Sequence, residues 1–168
     1  MAGSLLLALT LQAGGAPALI PELQPLAFVT GSCWRGTFSN RPAETDTHCF
    51  SPMLGGRFIR DVHVVEGAAQ PYSGETVYRL DADSGEIRFH YYSSAGFTSS
   101  GSATPTATGV DFPEETYRGT DGDMTVRTRW TRDGTDAYLV VSESLLRSGV
   151  WEEAWRIRMV RVGPAPTR

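Results

Sequence analysis

No lysine occurs in the 168 residues, so all 15 basic side chains are arginine. That absence removes Schiff-base chemistry and lysine nucleophiles. The arginines are scattered singly among 19 acidic residues, for a formal charge of -4. With no basic stripe to track a phosphate backbone, nucleic acid is not expected as a partner. Cysteine is nearly absent: only Cys33 and Cys49 occur, and without a C-x-x-C pair a redox motif or zinc ribbon is disfavoured. The apolar run at residues 5–11 falls far short of the roughly 18 residues a membrane helix needs, and nothing later in the chain is apolar enough to span. Gly-x-Ser-x-Gly, His-Glu-x-x-His and a phosphate-cradling glycine loop are all missing, which leaves the familiar hydrolase, metallopeptidase and nucleotide readings without their signatures. A helical period is lacking too, over any useful window after residue 31.

What is present begins with residues 1–18. Their apolar run ends in Ala16-Pro17-Ala18, a small-x-small site of the kind signal peptidase cuts. This predicts a cleavable leader, a mature chain starting near Leu19, and an exported protein, periplasmic or extracellular. In such a compartment Cys33 and Cys49 are expected to form a disulfide, and a loop of this length stabilises by about 3 kcal/mol in the chain-entropy model. One domain is expected over residues 19–162, with residues 163–168 as a frayed tail.

Between Leu19 and Thr30 the pattern is apolar with Pro21 and Pro25, which predicts a turn or two of helix that plugs or covers something. Beyond Gly31 the chain changes to short runs of Val, Ile, Thr, Phe, Tyr and Trp, broken every ten residues or so by turn signals, the cadence of hairpins. Gly55-Gly56, Asp83-Ser84-Gly85 and Asp133-Gly134 mark three of the turns. In the last run Trp155, Ile157 and Met159 alternate with Arg156 and Arg158, one face dry and one wet. Residues 97–109 are small and polar, read as an exposed strand or loop, or as a flexible rim with room for a ligand beside it. About ten sequential antiparallel strands must form a sandwich or close on themselves, and closure removes exposed edges. The expected fold is all-β: a closed or nearly closed up-and-down barrel with a short N-terminal helix.

The stretch L-A-F-V-T-G-S-C-W-R-G at residues 26–36 resembles the opening of lipocalin-like (calycin) barrels, whose first strand carries a Gly-x-Trp signature; here one more residue separates Gly31 from Trp34. D-T-H-C-F at 46–50, G-G-R-F-I-R-D at 55–61 and G-E-T-V-Y at 74–78 further resemble exported bacterial proteins of that type. The resemblance implies a central cavity, in many relatives a small apolar ligand, and an inward-pointing Trp34 at the closed end. It implies no particular chemistry.

Register extends the reading. A turn at Gly55-Gly56 sets Phe50 opposite Asp61, Cys49 opposite Val62 and His48 opposite His63. A Cys33–Cys49 bridge between directly opposed residues then sets Trp34 against His48. Alternation places Trp34, His48, Phe50, Ile59, Asp61 and His63 on one side, and Cys33, Cys49, Arg60 and Val62 on the other. Pro52 threatens this register, since proline cannot donate to the ladder and often marks a bulge. Two imidazoles and a carboxylate suit zinc or non-haem iron, or a general base with its orienting acid. Across a hairpin, though, such a pair is more often an ornament of the surface. The first expectation is therefore a barrel binding a small, largely apolar molecule, gripped by Trp34, Phe89, Tyr91 and Trp155 and oriented by His48, Asp61 and His63. The alternative is a metal- or haem-dependent protein or enzyme using His48, His63 and Asp61; no cofactor is assigned.

Overall fold

The computed structural model describes residues 18–119 and 122–166. Ten strands follow one another: β1 (Ser32–Phe38), β2 (Arg41–Met53), β3 (Phe58–Glu66), β4 (Tyr72–Leu80), β5 (Ile87–Ser93), β6 (Thr98–Pro105), β7 (Gly109–Gly119), β8 (Gly122–Arg132), β9 (Ala137–Leu145) and β10 (Trp151–Pro164). Each pairs antiparallel with its neighbours in sequence, and β1 pairs with β10 to close the barrel. Closure leaves no strand edge to template aggregation. The expected all-β, up-and-down barrel is what the chain forms. No helix among the described residues is long and apolar enough to cross a membrane. The leader expected over residues 1–18 lies outside the described residues, save for Ala18.

One end of the barrel is plugged. Pro21–Leu26 forms a 3-10 helix, and its Leu23 and Leu26, with Val29 just beyond, are buried to 1 % or less. Proline at the first helical position costs no hydrogen bond, because that N–H would be orphaned anyway. Trp34 supports the plug from below: its indole Nε1 donates to the Val29 carbonyl at 2.9 Å, and Tyr138 meets its ring edge-on at 5.1 Å. The Arg161 guanidinium covers Trp34 and Arg132 covers Phe28, so cations on aromatic faces seal the plugged end.

Cys33 and Cys49 are bonded and directly opposed in the β1–β2 ladder. Pro52 does not disturb the next ladder: β2 and β3 pair without a bulge from Thr45–Glu66 to Met53–Phe58. The hairpin spans residues 54–57, with Gly55 and Gly56 both at positive φ, so the glycine pair gives the register expected of it. Residues 97–109 are mostly strand, and Ser99, Gly101 and Ala103 of β6 face inward. The chain end is ordered further than expected, because Gly163 and Pro164 extend β10 opposite Cys33 and Ser32. Residues 167–168 lie outside the described residues.

The outer face is laced by cross-strand arginine–carboxylate pairs, Arg60–Glu75, Arg127–Glu143 and Arg129–Asp111 among them. Exposed pairs of this kind contribute little each, so the interior and the disulfide carry the stability. Reducing the Cys33–Cys49 bond should lower the unfolding free energy by about 3 kcal/mol; urea unfolding with and without reductant measures it, and equal midpoints would contradict the role.

Candidate functional site

Alternation turns Asp46, His48 and Phe50 of β2 inward, with Asp61 and His63 of β3 beside them, since a closed barrel has only an inside and an outside. His48 lies opposite His63 and Phe50 opposite Asp61. The two imidazoles stack, centroids 4.6 Å apart and planes 14° from parallel. Asp46, Asp61 and His63 are 5 %, 2 % and 7 % exposed; charge at such depth must be paired to be tolerated.

It is paired through one continuous string. Asp46 accepts from both rings, Oδ1 from His63 Nδ1 at 3.0 Å and Oδ2 from His48 Nε2 at 3.1 Å. The other nitrogen of His48 faces Asp61 Oδ2 at 2.8 Å. The other nitrogen of His63 meets the Tyr91 hydroxyl at 3.1 Å, and Tyr91 meets the Tyr72 hydroxyl at 2.6 Å. The order is therefore Tyr72, Tyr91, His63, Asp46, His48, Asp61. With a carboxylate at each nitrogen, His48 must donate twice, which only imidazolium can do.

The electrostatics agree with that assignment. Burial opposes charge on His48, but the fields of Asp61 and Asp46 and the hydrogen bonds to them override it, raising its pKa well above the ordinary 6.5. Burial likewise works to raise Asp46, yet the pull of His48 and the hydrogen bonds from both rings hold its carboxyl far below the usual range. Across the interior, burial pushes Glu115 up, and it accepts from Ser99 Oγ at 2.9 Å.

Gly74 makes the His63–Tyr91 contact possible. It sits opposite His63 on β4, and a Cβ there would run into His63 Nε2 and the Tyr91 ring and hydroxyl. The missing side chain lets Tyr91 reach across from β5.

These groups form one wall of a cavity of about 530 Å³, within the roughly 300–1,000 Å³ usual for small-molecule sites. The other walls are aromatic and aliphatic, with Tyr78, Phe89, Phe112, Trp130, Tyr138 and Ile157 prominent. Opposite the plug the cavity reaches Phe38, Arg41, Ala68, Gln70 and Phe97, near the β1–β2, β3–β4 and β5–β6 connections.

Of the residues expected at the site, His48, Asp61, His63, Phe89, Tyr91 and Trp155 line this cavity. Trp34 does not; it packs beneath the plug, its indole N–H spent on Val29. Nor is Asp61 the carboxylate that joins the imidazoles. That residue is Asp46, with Asp61 bonded to His48 alone. Asp46 stands two residues before His48, and the same alternation that placed the histidines signals it. Tyr72 and Glu115 had no such signal.

Asp46, His48 and His63 bring three donor atoms within 4.8 Å of one another, enough to hold an ion once Asp46 releases the rings. Asp61 and Tyr91 would then fix the far nitrogens, as outer partners of metal-bound histidines commonly do. The near-parallel stacking opposes this, since a metal about 2.1 Å from both nitrogens would lie well out of each ring plane. One ring must turn before an ion fits.

The barrel is similar to that of Rv2717c. Its crystal structure, from M. tuberculosis, matches with a TM-score of 0.62 over 86% of this chain and 99% of that one, at 15% identity, a likeness that speaks to the fold. No family model and no curated protein matches the chain.

Two outcomes follow from the buried string. Because the folded-state pKa of His48 lies above 6.5, its protonation favours the native state: the stabilisation is complete below about pH 6.5 and is lost as pH rises through the folded value. Asp46 acts in the opposite direction, its contribution present above its ordinary 3.8 and lost as pH falls through the depressed value. Urea midpoints should therefore be highest between about pH 4 and 6.5, and the decline on the alkaline side should flatten in His48→Gln; an unaltered alkaline limb would count against the doubly donating imidazolium. Gly74→Ala should cost roughly 1–3 kcal/mol through overpacking, and a variant as stable as the parent would mean that the Tyr91 contact adapts freely.

Proposed function

We propose that this chain is an exported, lipocalin-like barrel that binds a small, largely apolar molecule. The observation that carries the reading is the cavity: a largely apolar space rich in aromatic side chains and open opposite the plug, with one polar wall able to orient whatever enters. Export rests on the apolar segment with its small-x-small site and on the disulfide, which suits an oxidising compartment. Phe89, Tyr91 and Trp155 supply the grip, and His48, Asp61 and His63 the orientation.

N-phenyl-1-naphthylamine, a neutral dye that brightens in apolar surroundings, tests this. It should bind the purified mature protein, and Thr128→Trp, which projects a large ring from the wall into the cavity, should weaken binding at least about tenfold, the loss of roughly 1.4 kcal/mol. Equal binding by the variant, or no uptake by the parent, overturns the reading.

A second reading is favoured by the convergence of Asp46, His48 and His63: a metal- or haem-dependent protein, with the imidazoles as ligands or as general base. Metal analysis and a visible absorption spectrum of the protein as purified decide it. Bound metal or haem that disappears in a His48→Ala, His63→Ala double variant supports it, and retention by that variant rejects it.

A further inference from the structure

The cavity has a sign. Among the described residues its lining includes four acids, Glu44, Asp46, Asp61 and Glu115, against a single arginine, Arg41, although the chain carries 15 basic residues, every one an arginine. Arg41 is already committed to Glu44 at 2.8 Å near the open end. Deeper in, one imidazolium, His48, stands between two buried acids, Asp46 and Asp61. The buried string thus sets two acidic side chains against one imidazolium, in a largely apolar cavity.

The acid with an oxygen left over is Asp61. Its Oδ2 accepts from His48, while Oδ1 finds no hydrogen-bond donor among the described residues, although Asp61 is only 2 % exposed. A buried carboxylate oxygen without a donor is costly, and native interiors rarely leave one so. What surrounds it is aromatic. The charge of Asp61 acts on the hydroxyls of both Tyr78 and Tyr138, and Trp130 lies 6.4 Å from the Tyr78 ring and 5.5 Å from the Tyr138 ring, centroid to centroid. Phe112 extends the cluster 4.8 Å beyond Trp130. A carboxylate in a cavity walled by aromatic side chains is an environment that recognises an organic cation, because ring quadrupoles and the anion attract the same charge.

Granting that the cavity binds a ligand, as proposed above, we infer that the ligand is a small organic cation: a protonated amine on an aromatic or short aliphatic body, its ammonium at Asp61 and its body against Trp130 and Phe112. A carboxylate-headed amphiphile meets four acids and no available arginine, so the cavity rejects it. A neutral alcohol could satisfy Oδ1 but brings no positive charge to the acidic lining, and ranks between them.

Competition against bound N-phenyl-1-naphthylamine tests the inference near neutral pH with three probes of one shape: 2-phenylethylamine, 2-phenylethanol and 3-phenylpropionate. The amine should displace the dye at a concentration at least about tenfold below the acid, equivalent to about 1.4 kcal/mol, with the alcohol intermediate. In Asp61→Asn the amine-to-acid ratio should fall severalfold. Equal potency of amine and acid, or an unchanged ratio in the variant, overturns the inference while dye binding keeps the cavity reading intact; failure of the dye to bind removes the reading itself. Should Asp61→Asn not fold, the parent protein still decides: intermolecular NOEs from the methylene beside the ammonium to Tyr78 and Tyr138 place the head as inferred, and NOEs to Phe38 or Trp155 instead refute it.

Discussion

Asp46 is the residue on which the interior turns. One carboxylate takes an imidazole on each oxygen, and those imidazoles hand the charge on to Asp61 in one direction and to two phenols in the other. Remove it and two stacked rings in a low-dielectric wall lose their common partner, which is the costly way to break a buried polar network. The polar wall that β2 and β3 give the cavity is arranged around that bidentate acceptance.

The arrangement depends on a register that the chain writes plainly. Two glycines at a turn, two cysteines directly opposed, and alternation with a period of two were sufficient to set His48 against His63 and Phe50 against Asp61. Pro52 offered a reason for a slip and caused none. What escaped the sequence was connectivity at the level of atoms. Pattern shows that a side chain looks inward, but it cannot say which of two inward carboxylates bridges the rings. Trp34 failed for a related reason: facing inward is not the same as facing empty space, and the plug claims the volume above it. Tyr72, on β4 beside His63, meets that imidazole edge-on at 5.7 Å, and its hydroxyl joins the string only through Tyr91 of β5, two strands from His63 and beyond any hairpin count.

Small residues did as much as large ones. Gly74 clears the path between His63 and Tyr91, and Gly101 on the inner face of β6 makes room for the Phe89 ring. The polar, low-complexity look of residues 97–109 hid this, because serine, threonine and alanine read as a solvated loop until closure gives one side of them an interior. Composition told the outside story more faithfully. The arginines lie largely on the exterior in cross-strand pairs, and their scarcity within gives the hollow its negative character.

The first and last described residues both sit at the stoppered end. Ala18 abuts the turn at Gly56, Ala165 donates its backbone N–H to the Gly31 carbonyl, and the Pro166 carbonyl accepts from Ser51. Any tether, tag or neighbouring module joined at either terminus must leave from that side. An attachment made there would leave the mouth of the barrel clear.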